Sequence, residues 1–233
     1  MKIENSVALV TGANRGIGLA FARALLARGA RTVYAAAREP ASITLPGVRP
    51  VRLDVTQPEQ IAAAVEACGD VNLVINNAGI ARATGVLADD AIEAARAELE
   101  TNFFGPFLTS RAFAPVLAKN GGGAIVNVLS VASWLSSPQL ATYAASKAAA
   151  WSLTNGLRNA LRAQGTQVLG VHVGFVDTDL ARGVTAAKSR PDDVVATVLA
   201  ALEAGKEEVL ADELSRQVKH GLAAEPGIYL VPR

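Results

Sequence analysis

The stretch Val7-Ala-Leu-Val-Thr11-Gly12-Ala-Asn14-Arg15-Gly16-Ile17-Gly18 starts as a run of strand-forming apolar residues and ends in clustered glycines. Helix-forming Leu19-Ala-Phe-Ala-Arg-Ala-Leu-Leu-Ala27 follows at once. The order strand, tight turn, helix is the opening of a nucleotide-binding βα unit. Glycines permit the turn and let backbone N–H groups come close to a phosphate, and the helix N-terminus adds a partial positive charge. The spacing is Gly-x-x-x-Gly-x-Gly rather than the commoner Gly-x-Gly-x-x-Gly fingerprint. Gly12, Asn14, Arg15, Gly16, Ile17 and Gly18 are therefore expected to meet a dinucleotide.

Outward from this unit, short β-branched runs alternate with Ala- and Leu-rich stretches. That alternation predicts βαβ units and a parallel sheet covered on both faces. Strands are expected at Val7–Thr11, Thr32–Ala36, Arg49–Leu53, Leu73–Asn76, Ala124–Leu129, Gln167–Val173 and Glu208–Ala211. Helices are expected to begin near Gly16, Pro58, Asp89, Thr142 and Pro191. The stretch from Asp89 to Ala118 is long, and Pro106 is expected to kink it. Between Arg38 and Arg49 there is room for a turn but hardly for a helix. No linker or repeat divides the 233 residues. A single α/β domain over residues 1–229, doubly wound and seven-stranded, is the simplest reading. Leu230-Val-Pro-Arg233 matches what remains of a thrombin-type cleavage site and is set aside, a natural tail being the alternative.

Composition narrows the function classes. The net charge is +1 with no basic tract, so nothing points to nucleic acid or a membrane surface. No apolar run approaches membrane-spanning length. One cysteine, Cys68, and two distant histidines, His172 and His220, make a metal site improbable; Cys68 reads as a small core residue. The expected setting is soluble, reducing and cytoplasmic.

The end of the second strand should lie beside the adenosine ribose. An acid there would select NAD. Here the end reads Ala35-Ala-Ala-Arg38, and Arg15 and Arg38 both suit a 2′-phosphate. NADP(H) is therefore expected over NAD(H). Asp54, beside Val55 at the end of the third strand, could accept from the adenine amino group or cap the turn before Pro58.

Ser130, Tyr143 and Lys147 form the second cluster of interest. Tyr143 and Lys147 stand at i and i+4 and share one helix face. A cation beside the phenol should favour the phenolate and fit Tyr143 for proton exchange at an alcohol or ketone.

With Asn76-Asn-Ala78-Gly79 and Asn102, these motifs fall in order, and the chain resembles the short-chain dehydrogenase/reductase family over residues 3–212. The resemblance implies a Rossmann-like sheet of order 3-2-1-4-5-6-7 and a nicotinamide cofactor. It implies Tyr143 as general acid or base, Lys147 as its modulator and ribose ligand, and Ser130 as donor to the substrate oxygen. Asn102 would hold a relay water. Asn76, Ala78 and Gly79 would lie along the adenosine side of the cofactor. Gly174, Val176 and Thr178 would seat the carboxamide. Ser133 is a rival to Ser130, and the spacing to Tyr143 favours Ser130.

Two departures stand out. Val173 occupies the place where the family pattern has Pro before Gly174, which should cost the loop stiffness. A polar helix, Glu213–Leu222, replaces the usual glycine-rich C-terminal segment. Substrate-pocket candidates are Ile80, Arg82, Trp134, Leu135, Gln139, Leu140, Phe175 and Leu180, mostly apolar. An uncharged hydrophobic or aromatic ketone, aldehyde or alcohol fits them best. A stripe of small residues, Ala145, Ala149, Ser152, Gly156 and Ala160, suggests a homodimer or homotetramer. The leading function is an NADPH-dependent carbonyl reductase; the alternative is a catalytically silent NADP(H)-binding regulator.

Overall fold

β1 (Val7–Thr11) is buried along its whole length, as a strand flanked on both sides and covered on both faces must be. Its neighbours are β2 (Thr32–Ala37) and β4 (Leu73–Asn76), both parallel to it. β3 (Arg49–Arg52), β5 (Ala124–Val128), β6 (Gln167–His172) and β7 (Glu208–Leu210) complete one seven-stranded parallel sheet of order 3-2-1-4-5-6-7. This is the doubly wound Rossmann-like arrangement, and the computed structural model that shows it describes residues 1–231. Of the Leu230–Arg233 tail, Pro232 and Arg233 lie outside the described residues.

Alternation along β1 divides the core in two. Ala8 and Val10 face α1 (Gly16–Ala27) and α6 (Pro191–Glu203), packing with Phe21, Leu25, Val198 and Leu199. Val7 and Leu9 face the opposite layer, where α2 (Pro58–Ala67), α4 (Gly105–Lys119) and α5 (Ala141–Leu161) bring Ile61, Phe113, Leu117 and Leu157. Period two in the strands thus feeds two helical layers. Cys68 lies in the second of these clusters, fully buried, and burial pushes its thiol up to about 12.

Strand ends differ from expectation by at most one residue, as at β2, β5 and β6. The β2–β3 connection holds only a single 3-10 turn, Pro40–Ser42. α7 (Glu213–Gly221) occupies the polar stretch expected after β7. The region from Asp89 to Ala118 requires a correction. It is two helices, α3 (Ala91–Leu99) and α4, joined by a π turn at Glu100–Phe104. Pro106 lies just past the π turn, so its missing N–H falls where the regular ladder is already broken.

Phe113 is wholly buried between α4 and the sheet. Phe113→Ala should cost about 3–5 kcal/mol, lowering the unfolding midpoint by roughly 10 °C, which calorimetry will read.

Candidate active site

The carboxyl ends of β1 and β4 are locked together by one hydroxyl. Thr11 Oγ1 donates to Ile75 O (3.3 Å) and accepts from the N–H groups of Asn77 and Ala78, each at 3.0 Å. Asn77 Nδ2 then donates to the carbonyls of Thr11 (2.9 Å) and Gly12 (3.3 Å). The glycine turn is held from behind by these bonds. A Cβ on Gly18 would stand 2.1 Å from Gly12 O, so only glycine lets α1 approach the turn this closely. Gly12 and Gly16 have positive φ, 64° and 54°.

The N-terminus of α1 carries no side-chain cap at Arg15 and no acid in its first turn. Its N–H groups point at a cradle lined by glycine, which suits an anionic pyrophosphate. The chain continues from there toward the second cluster. A Cβ on Gly12 would lie 3.1 Å from Ala78 Cα, and one on Gly79 would lie 3.6 Å from Lys147 Nζ. On the other side, Thr178 Cγ2 comes within 3.1 Å of a Cβ placed on Gly16.

At the adenosine end the candidate residues separate. Arg38 is exposed at the tip of β2 and, among the described residues, makes no ion pair. Arg15 instead reaches across the crevice to Asp179 (2.9 Å), which Arg182 also engages. Asp54 Oδ1 accepts from Thr56 N (3.0 Å) and Thr56 Oγ1 (2.8 Å), the local turn-capping role. Asn76 is a correction. Its side chain is buried and donates to Ser110 Oγ (3.0 Å) and Asn127 Oδ1 (2.8 Å), away from the crevice. It pins β4 to β5 and α4, and Asn77 is the neighbour that serves the glycine turn.

Ser130 follows β5 and caps a short 3-10 turn, accepting from Ala132 N at 3.1 Å. Its hydroxyl also faces that of Tyr143 and favours the ionised phenol. Ser133, the rival, is buried with an unpartnered hydroxyl. Tyr143 lies in the first turn of α5 and is half-buried. Lys147, one turn on, is 6% exposed and donates to Val128 O (2.9 Å), with Nζ 5.8 Å from the Tyr143 ring centre. The expected lowering of the Tyr143 pKa by this cation is not seen. Burial dominates and pushes the phenol up to about 12; the Ser130 hydroxyl opposes this, and the charge of Glu98 adds to it. Burial likewise pulls Lys147 down to about 8, so it is a cation at neutral pH and loses its charge in mild alkali.

Asn102 stands inside the π turn, buried. Its side chain exchanges two bonds with Ile80, accepting from N and donating to O, each 2.9 Å, and donates to Ser146 Oγ (2.9 Å). Ser146 donates to Tyr143 O (2.7 Å). Asn102 thus links the segment after β4 to the first turn of α5. Glu98, one helical turn earlier on α3, was not foreseen as a site residue. It is fully buried; Oε1 accepts from Arg82 N (2.7 Å) and Oε2 has no partner. Its burial and its remote partners, Arg82 and Tyr143, leave no mark in the local sequence.

Two pocket candidates are corrected. The Arg82 guanidinium turns outward to Glu93 (3.0 Å). The Trp134 ring stacks on buried His172 with centroids 3.7 Å apart, and Lys219 of α7 lies 4.7 Å from the Trp134 centre. His172 Nδ1 sits 3.3 Å from Ser130 O, and its burial pulls the imidazole down to about 4, so it is neutral. Trp134 therefore braces the rear of the Ser130 turn. Ile80, Leu135, Leu140 and Phe175 are half-buried, and Gln139 and Leu180 are exposed. Val86 and Leu87, 57% and 95% exposed on the loop after β4, add apolar surface that the sequence reading overlooked.

The family model described as short chain dehydrogenase matches residues 6–189. The chain belongs to the short-chain dehydrogenase family. It is an oxidoreductase of the class acting on CH–OH and C=O groups with NAD(P). Its sequence is 33% identical over 215 residues to the 3-oxoacyl-[acyl-carrier-protein] reductase FabG of Escherichia coli (strain K12), covering 88% of this chain and 85% of that one. It is 37% identical over 200 residues to the short chain dehydrogenase tazN of Aspergillus terreus, covering 78% of this chain but only 44% of that one. A solved short chain dehydrogenase from Burkholderia cenocepacia J2315, in complex with NADP, superposes with a TM-score of 0.95 at 43% identity, covering 100% of both chains.

Glu98 offers a direct check on the electrostatics. Glu98→Gln keeps an acceptor for Arg82 N but removes the negative charge that disfavours the phenolate. The Tyr143 titration, followed by tyrosinate absorbance, should move to lower pH than in the unaltered protein. An unmoved titration would remove Glu98 from the list of groups that set this phenol.

Proposed function

We propose that this protein is an NADPH-dependent reductase of uncharged, hydrophobic or aromatic ketones or aldehydes, working in reverse as an alcohol dehydrogenase. The observation that carries this reading is the buried Lys147, whose Nζ lies 5.8 Å from the Tyr143 ring centre, with Ser130 at the adjoining end of β5. The glycine cradle of α1 and the Gly79 strip lead to the same place.

NADPH, when bound, supplies the hydride. The residues of the chain then manage charge and protons. A carbonyl oxygen gains negative charge as it is reduced, and the Ser130 and Tyr143 hydroxyls both donate to it. Tyr143 passes its phenolic proton to that oxygen, which leaves a phenolate. Lys147, cationic at neutral pH and held on Val128 O, lies 5.8 Å from the Tyr143 ring centre and is the cation placed to answer that charge once it forms. In the alcohol-oxidising direction the phenolate takes the proton back. Burial keeps the resting phenol protonated, the state needed to donate to the substrate oxygen. The π turn takes main-chain carbonyls off the regular helical ladder beside Asn102, which offers a seat for a relay water toward Lys147.

The half-buried Ile80, Leu135, Leu140 and Phe175 support an apolar substrate. Arg82, tied to Glu93, gives no reason to expect an anionic one. Preference for NADPH rests first on Arg38, exposed at the ribose end, and second on Arg15, whose partner Asp179 would share it with a 2′-phosphate. The Burkholderia relative solved with NADP supports the same choice. A homodimer or homotetramer is part of this reading. Ala145, Ser152, Gly156 and Ala160 are exposed along α5, and Phe104 and Phe107 add apolar surface on the preceding helix.

Screening NADPH consumption against diverse ketones and aldehydes tests the activity. Tyr143→Phe should lose roughly 10²–10⁴-fold in turnover while still binding NADPH. Equal rates in variant and wild type would refute the mechanism; tight NADPH binding without turnover of any carbonyl would favour the regulatory alternative. Arg38→Ala should weaken NADPH by about tenfold or more and leave NADH nearly unchanged, since one charge-assisted contact is worth about 1.5–3 kcal/mol. Equal losses for both cofactors would remove the 2′-phosphate role.

A further inference from the structure

α7 touches the site at two places, and the first of them concerns the cofactor. Asp212 is the N-cap of α7. Its Oδ1 accepts from Ser215 N (2.8 Å), and Ser215 closes the capping box from the other side. Capping a helix needs one carboxylate oxygen. The other oxygen, Oδ2, accepts from Gly174 N at 2.6 Å, 38 residues back in the chain. Gly174 opens the loop after β6 whose residues Val176 and Thr178 belong to the proposed nicotinamide seat.

We propose that Asp212 is a positioning residue for the cofactor, holding the Gly174–Thr178 loop in its binding geometry through the Gly174 amide. This rests on the NADP(H) reading above. Four observations support it. Val173 stands where the family pattern has a proline, so the loop has no ring to fix its start. An external hydrogen bond to the very next amide restores that restraint. Gly174 is also packed so closely on α7 that a Cβ there would lie 2.7 Å from Leu214 Cδ2, which ties the loop's position to that of the helix. Further along, the loop is held from the opposite side, Ser189 N donating to Phe175 O (2.8 Å) and Asp177 N to Ser189 O (3.0 Å). Its far end meets the glycine turn at Thr178 and Gly16. A shift at Gly174 is therefore passed on to the phosphate cradle. The second contact of α7, Lys219 over Trp134, braces the Ser130 turn. One helix thus steadies both the proposed cofactor loop and the proposed catalytic turn.

Capping and positioning can be separated by substitution. Asp212→Ser keeps a good N-cap but is too short to keep the Gly174 bond as well. Ser215→Ala damages the capping box and leaves Asp212 and Gly174 alone. The readouts are NADPH affinity by calorimetry, the unfolding midpoint without cofactor, and hydrogen exchange at the Gly174 amide without cofactor. The expected result for Asp212→Ser is about tenfold weaker NADPH binding, the scale of one lost hydrogen bond to a charged group. Gly174 should exchange faster, and the midpoint should stay within about 4 °C of wild type. Ser215→Ala should lower the midpoint and leave NADPH affinity unchanged. Wild-type affinity in Asp212→Ser would overturn the proposal. So would weakened affinity in both variants in proportion to lost stability, since α7 would then act only through folding. Failure of the unaltered protein to bind NADPH would instead overturn the cofactor reading itself, and this inference with it.

Discussion

The site depends on how closely α1 can approach the end of β1. With no side chain at Gly18, the first turn of α1 packs onto the Gly12 carbonyl, and nothing larger than hydrogen fits between them. Thr11 and Asn77 then fix the turn to β4 and the residues after it through five hydrogen bonds, at Ile75 O, Asn77 N, Ala78 N, Thr11 O and Gly12 O. Because β4 continues into the Gly79 strip, which runs beside Asn102 and Lys147, the same contact places the phosphate cradle relative to the proposed proton-transfer residues. A shift of the helix would misplace both.

Within the proposed reaction centre, desolvation outweighs charge. Three groups there are driven toward neutrality by burial: Tyr143 upward, Lys147 downward, and His172 downward. Proximity of Tyr and Lys in sequence suggested the opposite for the phenol. The ammonium donates to the Val128 carbonyl, and the charge that raises the resting phenol's pKa is the acid Glu98. Such a centre keeps its phenolic proton until a substrate oxygen competes for it.

The fold was legible because its signals are local. The runs β1, β2 and β4–β6 and the Gly12–Gly18 turn are legible nearly to the residue, since strands covered on both faces are mainly apolar. Asn102 in the π turn and Tyr143 and Lys147 on α5 meet through Ser146 and the Gly79 strip, and Ser130 stands just past β5. What escaped were the directions of side chains. Trp134 and Arg82 stand at pocket positions in sequence, yet one finds a stacking partner on β6 and the other an exposed acid on α3. Asn76 and Asn77 are indistinguishable in sequence, but strand alternation sends the first into the core and leaves the second for the crevice. Glu98 and Asp212 gain their importance only from partners far along the chain, which no periodicity reveals.

The π turn at Glu100–Phe104 makes the chain intolerant of length change at one spot. A single residue there carries a rotation of about 100° between the helices on either side. Deleting one residue would put α3 and α4 on a single helical register. It would also swing Phe113 and Leu117 off the sheet while Glu98 stayed in place. Helical regularity and burial thus oppose each other at Glu100–Phe104, and burial wins. Homologous chains that keep both faces should accept substitutions through this segment far more readily than insertions or deletions.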